Sequence, residues 1–420
     1  MQANQWPKMM RCRQTFDQTA LKDVAEHIRG QIRALSHRLE VKAGQTVAIA
    51  CSSRGLADYT TIVQTTVEET VRLGLKPFII PAMGSHGAGT AAGQQRVLEH
   101  LGIREEIVGA PIRSSLDVVP LGKTAEGIPV CVDRLASEAD HIILVNRIKK
   151  HTDFIGDIES GLMKMMVIGL GKMTGAEVYH QAMISFGASN AIRAAARHVL
   201  KNCSILFGVG TIENGYGKVA DIGVMTGDDI ETEEKQLFQL ATKLSPGLPF
   251  DEADIIMIDE IGKEISGAGF DTRVVGRIRL PGTPEPDRPS IKRIILSDLT
   301  AASEGNATGF GIADIITRRL ADKVDQAATD TNTIVSLCLE MGKTPLIMPN
   351  DKEALLLAMR SVGFVSPAEQ KIMRIKNTLY LEEIELSEAY ADDVAQRPNL
   401  EIIREPGPIE FLANGYLKPF

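Results

Sequence analysis

No histidine follows His198 in this chain of 420 residues; all eight lie at or before that point. Histidine is the side chain whose ordinary pKa suits proton transfer and metal binding near neutral pH. Its absence from the second half places such chemistry in the first half, with the second half assisting. Cysteine is scarce too. Cys12, Cys51, Cys131, Cys203 and Cys338 are odd in number, widely spaced and free of any Cys-x-x-Cys pair. That argues against a disulfide framework or a thiolate zinc site and fits a reducing cytoplasm. Basic residues are outnumbered, 46 Lys and Arg against 54 Asp and Glu, for a net charge of -8. Sequence-independent nucleic-acid binding needs the opposite balance. No apolar run approaches the roughly 20 residues that cross a bilayer, and residues 1–17 lack the apolar segment of a secretory signal. The expectation is a soluble cytoplasmic protein with neither nucleic-acid nor membrane partners; nothing in the sequence assigns an oligomeric state.

What is present suffices for a sizeable core, since 44% of residues are hydrophobic and 24% charged. The length exceeds what one core organises, so two domains are expected. Leu21, Val24, Ile28, Ile32, Leu35 and Leu39 follow helical spacing, with Asp17 as the expected cap. Strands are then expected at 46–50, 77–80, 129–132, 141–145 and 205–210, with helices at 59–73, 90–101 and 188–200 and a hairpin at Glu126-Gly127. This alternation predicts an α/β fold with a mostly parallel sheet. The Pro and Gly of Ser245-Pro246-Gly247-Leu248-Pro249 mark a hinge. Beyond it the rhythm restarts, with strands at 255–258, 291–296 and 345–348 and helices at 312–324 and 352–361. The reading is two mixed α/β domains with mostly parallel sheets and an active site in the cleft between them. Residues 1–246 form the catalytic and cofactor-binding domain and 247–395 a substrate-capping domain. Residues 396–420 are expected to pack back on the first domain.

Ligands of parallel sheets gather at the carboxyl ends of strands. Three loops there carry candidate chemistry: Cys51-Ser52-Ser53-Arg54-Gly55, Met83-Gly84-Ser85-His86-Gly87-Ala88-Gly89-Thr90, and Asn146-Arg147-Ile148-Lys149-Lys150-His151. Glycines in the second let backbone N–H groups approach an anion at a helix N-terminus. If the strands are neighbours, Arg54, His86 and His151 converge. His27, His37, His100, His141 and His198 read as structural. Met163, Met165, Met166 and Met173 read as core filler rather than soft metal ligands. Asp153, Asp157 and Glu159 form either a surface turn or a hard-cation site, or one of them orients a histidine. Met166-Val167-Ile168-Gly169-Leu170-Gly171 also reads as a strand entering a Gly-x-Gly turn. Its spacing is one residue off the dinucleotide fingerprint, and the expected acidic residue is missing. It keeps an NAD(P)-dependent dehydrogenase open as an alternative, beside a non-catalytic small-molecule-binding protein.

His86 in its Gly-Ser-His-Gly loop, His151, the run Ser160-Gly161-Leu162-Met163-Lys164 and His180 together resemble the lactate racemase family. The resemblance covers most of residues 45–185. It implies an isomerase, a racemase or epimerase of a small 2-hydroxy acid other than lactate. The cofactor implied is a nickel-pincer nucleotide (pyridinium-3-thioamide-5-thiocarboxylic acid mononucleotide), supplied by its own biosynthesis enzymes. Lys164 would hold it covalently, and His180 would be the protein's ligand to the nickel (Ni). His86 and His151 would be the acid/base pair. Arg54, Gly87, Thr90, Ser160 and Gly161 would contact the cofactor. The departures are a longer stretch from His151 to Lys164 and Cys51-Ser52-Ser53-Arg54 in place of Asp-x-Thr-Arg. In the second half, Lys263 and Arg273 are candidates to grip a substrate carboxylate.

Overall fold

A computed structural model describes residues 6–420. The chain forms two compact units. The first holds residues 17–151 and 155–245; the second gathers the stretch up to Phe16, residues 152–154 and everything from Pro246 on. One strand, β1 (Lys8–Gln14), precedes the first unit in the chain and belongs to the second.

The first unit is built on a five-stranded sheet of β2 (Thr46–Cys51), β3 (Lys76–Pro81), β6 (His141–Arg147), β7 (Ile205–Glu213) and β8 (Val219–Thr226). The order is β3-β2-β6-β7-β8, parallel except for β8 against β7. A separate hairpin pairs β4 (Val118–Lys123) with β5 (Pro129–Asp133). The helices are α1 (Val24–Leu35), α2 (Tyr59–Arg72), α3 (Ala91–His100), α4 (Glu105–Val108), α5 (Arg134–Glu138), α6 (Leu162–Lys164), α7 (Lys172–Phe186), α8 (Ala188–Asn202) and α9 (Ile230–Leu244). Helix α1 starts at Asp23, whose side chain accepts the N–H of Glu26, rather than at Asp17, which accepts from Thr19. It buries Val24, Ile28 and Ile32, at about 1.5–3 kcal/mol for each side chain removed from water.

Strand β7 shows how the two sheet faces divide the work. Phe207 and Val209 join the core under α1 and α2. The alternate residues are glycines. A Cβ on Gly208 would stand 2.5 Å from Leu162 Cδ1, and one on Gly210 would stand 2.5 Å from Ile148 Cδ1. Small residues on that face let α6 press directly on the sheet.

The second unit carries an eight-stranded sheet: β1, β9 (Glu252–Ile258), β10 (Ser290–Leu296), β11 (Ile315–Thr317), β12 (Leu346–Met348), β13 (Ile372–Ile375), β14 (Glu383–Ser387) and β15 (Leu400–Pro408). The order is β12-β11-β10-β9-β13-β14-β1-β15; the first five strands run parallel and the rest antiparallel. Its helices are α10 (Arg318–Ala321), α11 (Gln326–Ser336), α12 (Asp351–Arg360) and α13 (Ala391–Ala395). Both units are thus mixed α/β, as the alternation indicated.

Four expectations are corrected. Residues 8–14 belong to the second unit, because β1 lies between β14 and β15. Residues 396–420 join that unit too: β15 pairs with β1, Arg374 Nη2 donates to the Lys418 carbonyl at 2.7 Å, and Leu417 N–H donates to Asp351 at 2.8 Å. Residues 312–324 are not one helix, since β-branched Ile315-Ile316-Thr317 pairs as β11 and only Arg318–Ala321 coils. Finally, Met165–Gly169 is a π-helical turn continuing α6, not a strand. Gly169 is small because a Cβ there would stand 2.8 Å from the Ala82 carbonyl; Gly171 is small because one would stand 2.2 Å from the Val167 carbonyl. The strand that a dinucleotide βαβ unit requires does not exist there, which removes the basis of the dehydrogenase reading.

Candidate functional site at the carboxyl edge of the first sheet

Strands β3, β2 and β6 are parallel neighbours, with Cys51 in register with Pro81 on one side and Val145 on the other. The loops bearing Arg54, His86 and His151 therefore leave one edge of one sheet. Two of them touch: the Ser53 hydroxyl is hydrogen-bonded to Nδ1 of the exposed His86. His86 is flanked by Gly84 at φ 58° and Gly87 at φ 69°, left-handed conformations that favour glycine. A Cβ on Gly87 would also lie 2.5 Å from the Gln94 backbone nitrogen. Thr90 then caps α3, accepting the Gly93 N–H at 3.0 Å while donating to the Gly87 carbonyl at 3.2 Å.

Arg54 remains accessible to solvent, yet its pKa is pulled below the usual guanidinium range. Crowding by protein atoms is the main cause and the charge of Arg147 the second. Arg147 is ion-paired to Glu213, which also accepts the Ala57 N–H at 2.7 Å and so ties the first loop to β7. Two guanidiniums near each other, with one carboxylate committed to Arg147, favour an anion beside Arg54.

The His151 loop is built on Glu159, which is 1% exposed. Its carboxylate accepts the backbone N–H of His151 at 2.6 Å and of Gly156 at 3.0 Å. Of the three acidic residues of this run, Glu159 thus anchors the histidine's backbone, while Asp157 pairs with Arg193 and Lys235. Lys149 and Ser160 exchange backbone hydrogen bonds of 2.9 and 3.2 Å, closing the loop just before Gly161.

Lys164 ends α6, partly buried, on a turn fixed from below. Asn146 at the end of β6 donates to the Gly161 carbonyl at 2.8 Å, and Glu234 of α9 accepts the Met163 N–H at 2.9 Å. A Cβ on Gly161 would stand 2.2 Å from Glu234 Oε1, so glycine here is a packing requirement. Met163, Met165 and Met166 are core, as expected, whereas Met173 is 38% exposed. Burial pushes the Glu234 carboxyl up to about 7, against the pull of the Met163 and Leu162 N–H groups. A carboxyl raised on folding holds a proton that the unfolded chain has already released. Stability therefore falls as pH rises from the ordinary carboxylate range to about 7. The cost at the upper end is on the order of 3 kcal/mol. Glu234→Gln removes this dependence: its melting temperature relative to the parent is expected to rise between pH 5 and pH 8. An unchanged difference across that range would contradict the assignment.

His180 lies partly buried on α7, eight residues beyond Lys172 and therefore about 12 Å along the helix. One turn and two turns earlier on the same face stand Ala176 and Met173. Ala176 Cβ lies 3.8 Å from where a Gly84 Cβ would be, and Met173 Sδ 2.6 Å from where a Gly89 Cβ would be. Ala176 and Met173, in the first half of α7, thus meet the His86 loop. The π-turn approaches the same loop, with Ile168 Cγ2 3.1 Å from a Cβ on Gly84. Loop 84–89, the π-turn that follows Lys164 and the first half of α7 are thus packed together. Among the described residues no three His, Cys, Asp or Glu side chains are arranged to hold an ion.

Among the remaining histidines, His27 bonds the Ile222 carbonyl, His141 bonds Ser204 and Gln45, and His198 bonds the Leu121 carbonyl. In the second unit Lys263 Nζ donates to the Gly267 carbonyl at 2.6 Å and Arg273 Nη1 to the Phe154 carbonyl at 2.9 Å. Two supporting residues escaped the sequence reading. Glu234 falls in helical register with buried Ile230 and Phe238, and Lys172 is the lone charge between Lys164 and Glu177. An ionisable residue inside an apolar period was the available signal.

An α/β unit with histidines in the loops that follow its parallel strands defines a class broader than any one activity. Residues 9–191 match the model of the lactate racemase N-terminal domain. That portion of the chain is similar to this domain family, and it contains Arg54, His86, His151, Lys164 and His180. No curated protein matches the sequence. The structure of the lactate racemase apoprotein from Thermoanaerobacterium thermosaccharolyticum aligns at 12% identity over 88% of this chain and 98% of that one, with a TM-score of 0.49. Among the described residues no helix is long and apolar enough to cross a membrane.

Proposed function

We propose that the chain is a cytoplasmic racemase or epimerase of a small 2-hydroxy acid. The observation that carries this reading is the packing of the His86 loop, at the carboxyl edge of the sheet, against the π-turn that follows Lys164 and against Ala176 and Met173 of α7, inside the segment that matches the family. The nickel-pincer nucleotide fits the donors present. The Arg54–Arg147 pair suits a phosphate, Lys164 offers an amine for attachment, and His180 offers an imidazole nitrogen, a ligand type that nickel accepts. When bound, that cofactor supplies reversible hydride acceptance at the carbon bearing the hydroxyl. The chain's own part is proton handling and orientation. His86, fixed through Nδ1 by Ser53, presents its other nitrogen to take the hydroxyl proton of one enantiomer and return it. His151 does the same for the other enantiomer from the neighbouring loop. Lys263 and Arg273 bind the substrate carboxylate, and enzymes of cofactor biosynthesis act on the chain as partners.

Intact-mass and peptide spectrometry of protein co-expressed with the cofactor-making enzymes tests this. The expected result is an adduct confined to the peptide bearing Lys164 and absent in Lys164→Ala. An unmodified Lys164 under conditions that load a lactate racemase would overturn the reading and favour a non-catalytic binding protein.

A further inference from the structure

We propose that Gln94 is a positioning residue for His86, its amide oriented from beneath by the buried Lys172–Asp133 ion pair. Gln94 is fully buried in the first turn of α3. Its Nε2 donates to the Gly84 carbonyl at 2.8 Å and to the His86 carbonyl at 3.3 Å, gripping the loop on both sides of Ser85. Its Oε1 lies 3.5 Å from Lys172 Nζ. An ammonium is a donor only, so it accepts the oxygen end of the amide and leaves the nitrogen end to the two carbonyls. The amide therefore has one orientation.

Lys172 is itself fixed. Its Nζ stands 2.7 Å from Asp133 Oδ2 and donates to the carbonyl of Pro81, the last residue of β3. Asp133 in turn ends β5, accepts the Ala136 N–H at 3.1 Å, and donates its own N–H to the Leu170 carbonyl at 2.7 Å. Lys172 opens α7 at φ 54°, a left-handed conformation that costs a residue bearing Cβ. A buried charge in a strained backbone persists where its surroundings over-determine it. Here the ammonium joins the end of β3, the end of β5, the start of the helix carrying His180 and the amide holding the His86 loop. Thr90 holds the Gly87 carbonyl through its N–H and its hydroxyl, and Gln94 holds the carbonyls of Gly84 and His86.

The catalytic meaning of this arrangement rests on the racemase reading; the positioning itself does not. Gln94→Glu is a one-atom exchange that keeps size and the Lys172 contact but removes both donors. Gln94→Met removes them without adding charge and covers the case in which the glutamate variant does not fold. Amide hydrogen exchange on the unloaded chain is expected to quicken roughly tenfold or more in residues 84–90, with β2, β3 and β6 unchanged. Unchanged exchange in the loop overturns the proposal, and so does protection lost evenly across the sheet, which marks a general packing role. In loaded protein the variant is expected to lose kcat roughly tenfold with KM nearly unchanged. An inactive parent would end the racemase reading while the exchange result still decides the role of Gln94.

Discussion

Lys172→Met lowers the unfolding free energy of the first unit by about 3–5 kcal/mol. The reason is the carboxylate it abandons. Asp133 is 0% exposed and Lys172 1%, so water cannot take over the lost partner. Burial lowers the Lys172 pKa, and Asp133 raises it back in part by charge and by hydrogen bonding. In the intact pair the attraction offsets much of the desolvation cost; once one partner is gone only that cost remains. Methionine has similar length and bears the same left-handed strain, so backbone effects cancel in the comparison. The double variant Lys172→Met with Asp133→Asn removes both charges and keeps the cap on Ala136. It is expected to recover most of the loss, because replacing both partners of a buried pair is often close to neutral. Denaturant titration of the three proteins checks this. A double variant no more stable than the single one would show that the pair is not the source.

His86→Ala and His151→Ala are each expected to lower racemisation by roughly 10²–10⁴-fold, the range of a positioned proton-transfer group. The two losses should differ in direction. Each variant keeps the histidine that meets one enantiomer, so single-turnover oxidation of the substrate to its keto acid should fail for opposite enantiomers. Rapid-quench detection of the keto acid formed from each pure enantiomer reads this directly, while chiral chromatography reads the overall loss of racemisation. Both variants should keep the Lys164 adduct, since neither residue is its attachment point. A histidine whose removal leaves both directions at the parent rate has no acid/base role.

The strands of the first sheet were legible because they are buried on both faces. Residues 46–50, 141–145 and 205–210 are near-continuous apolar runs flanked by turn residues, the pattern of a central parallel strand. Their adjacency was conditional in the sequence and is settled by the register of Cys51 between Pro81 and Val145. What stayed hidden has physical reasons. The π-turn Met165–Gly169 is apolar on all sides because it is enclosed, so it carries no helical stripe and imitates a strand. Ile312, Ile315, Ile316 and Leu320 imitate a helical stripe, although β-branching and pairing with β10 and β12 decide otherwise for Ile315 and Ile316. The short strands β13 and β14, between which the sheet changes from parallel to antiparallel, are too brief for periodicity to register. In the site, residue types pointed to His86, His151 and Lys164. The carboxyl groups beneath them, Glu159 and Glu234, act on backbone N–H groups, and such contacts leave little trace in a sequence.

The placement of β1 between β14 and β15 imposes an order on folding. Arg13 and Glu383, which pair across two of these strands, stand 370 residues apart. Closing so long a loop carries a large entropic cost before any contact rewards it, and such distant pairing is slow. During synthesis, residues 17–245 can complete their own sheet while β1, with Met9, Met10 and Cys12, waits for partners not yet made. Residues 8–14 are thus among the last to find their place.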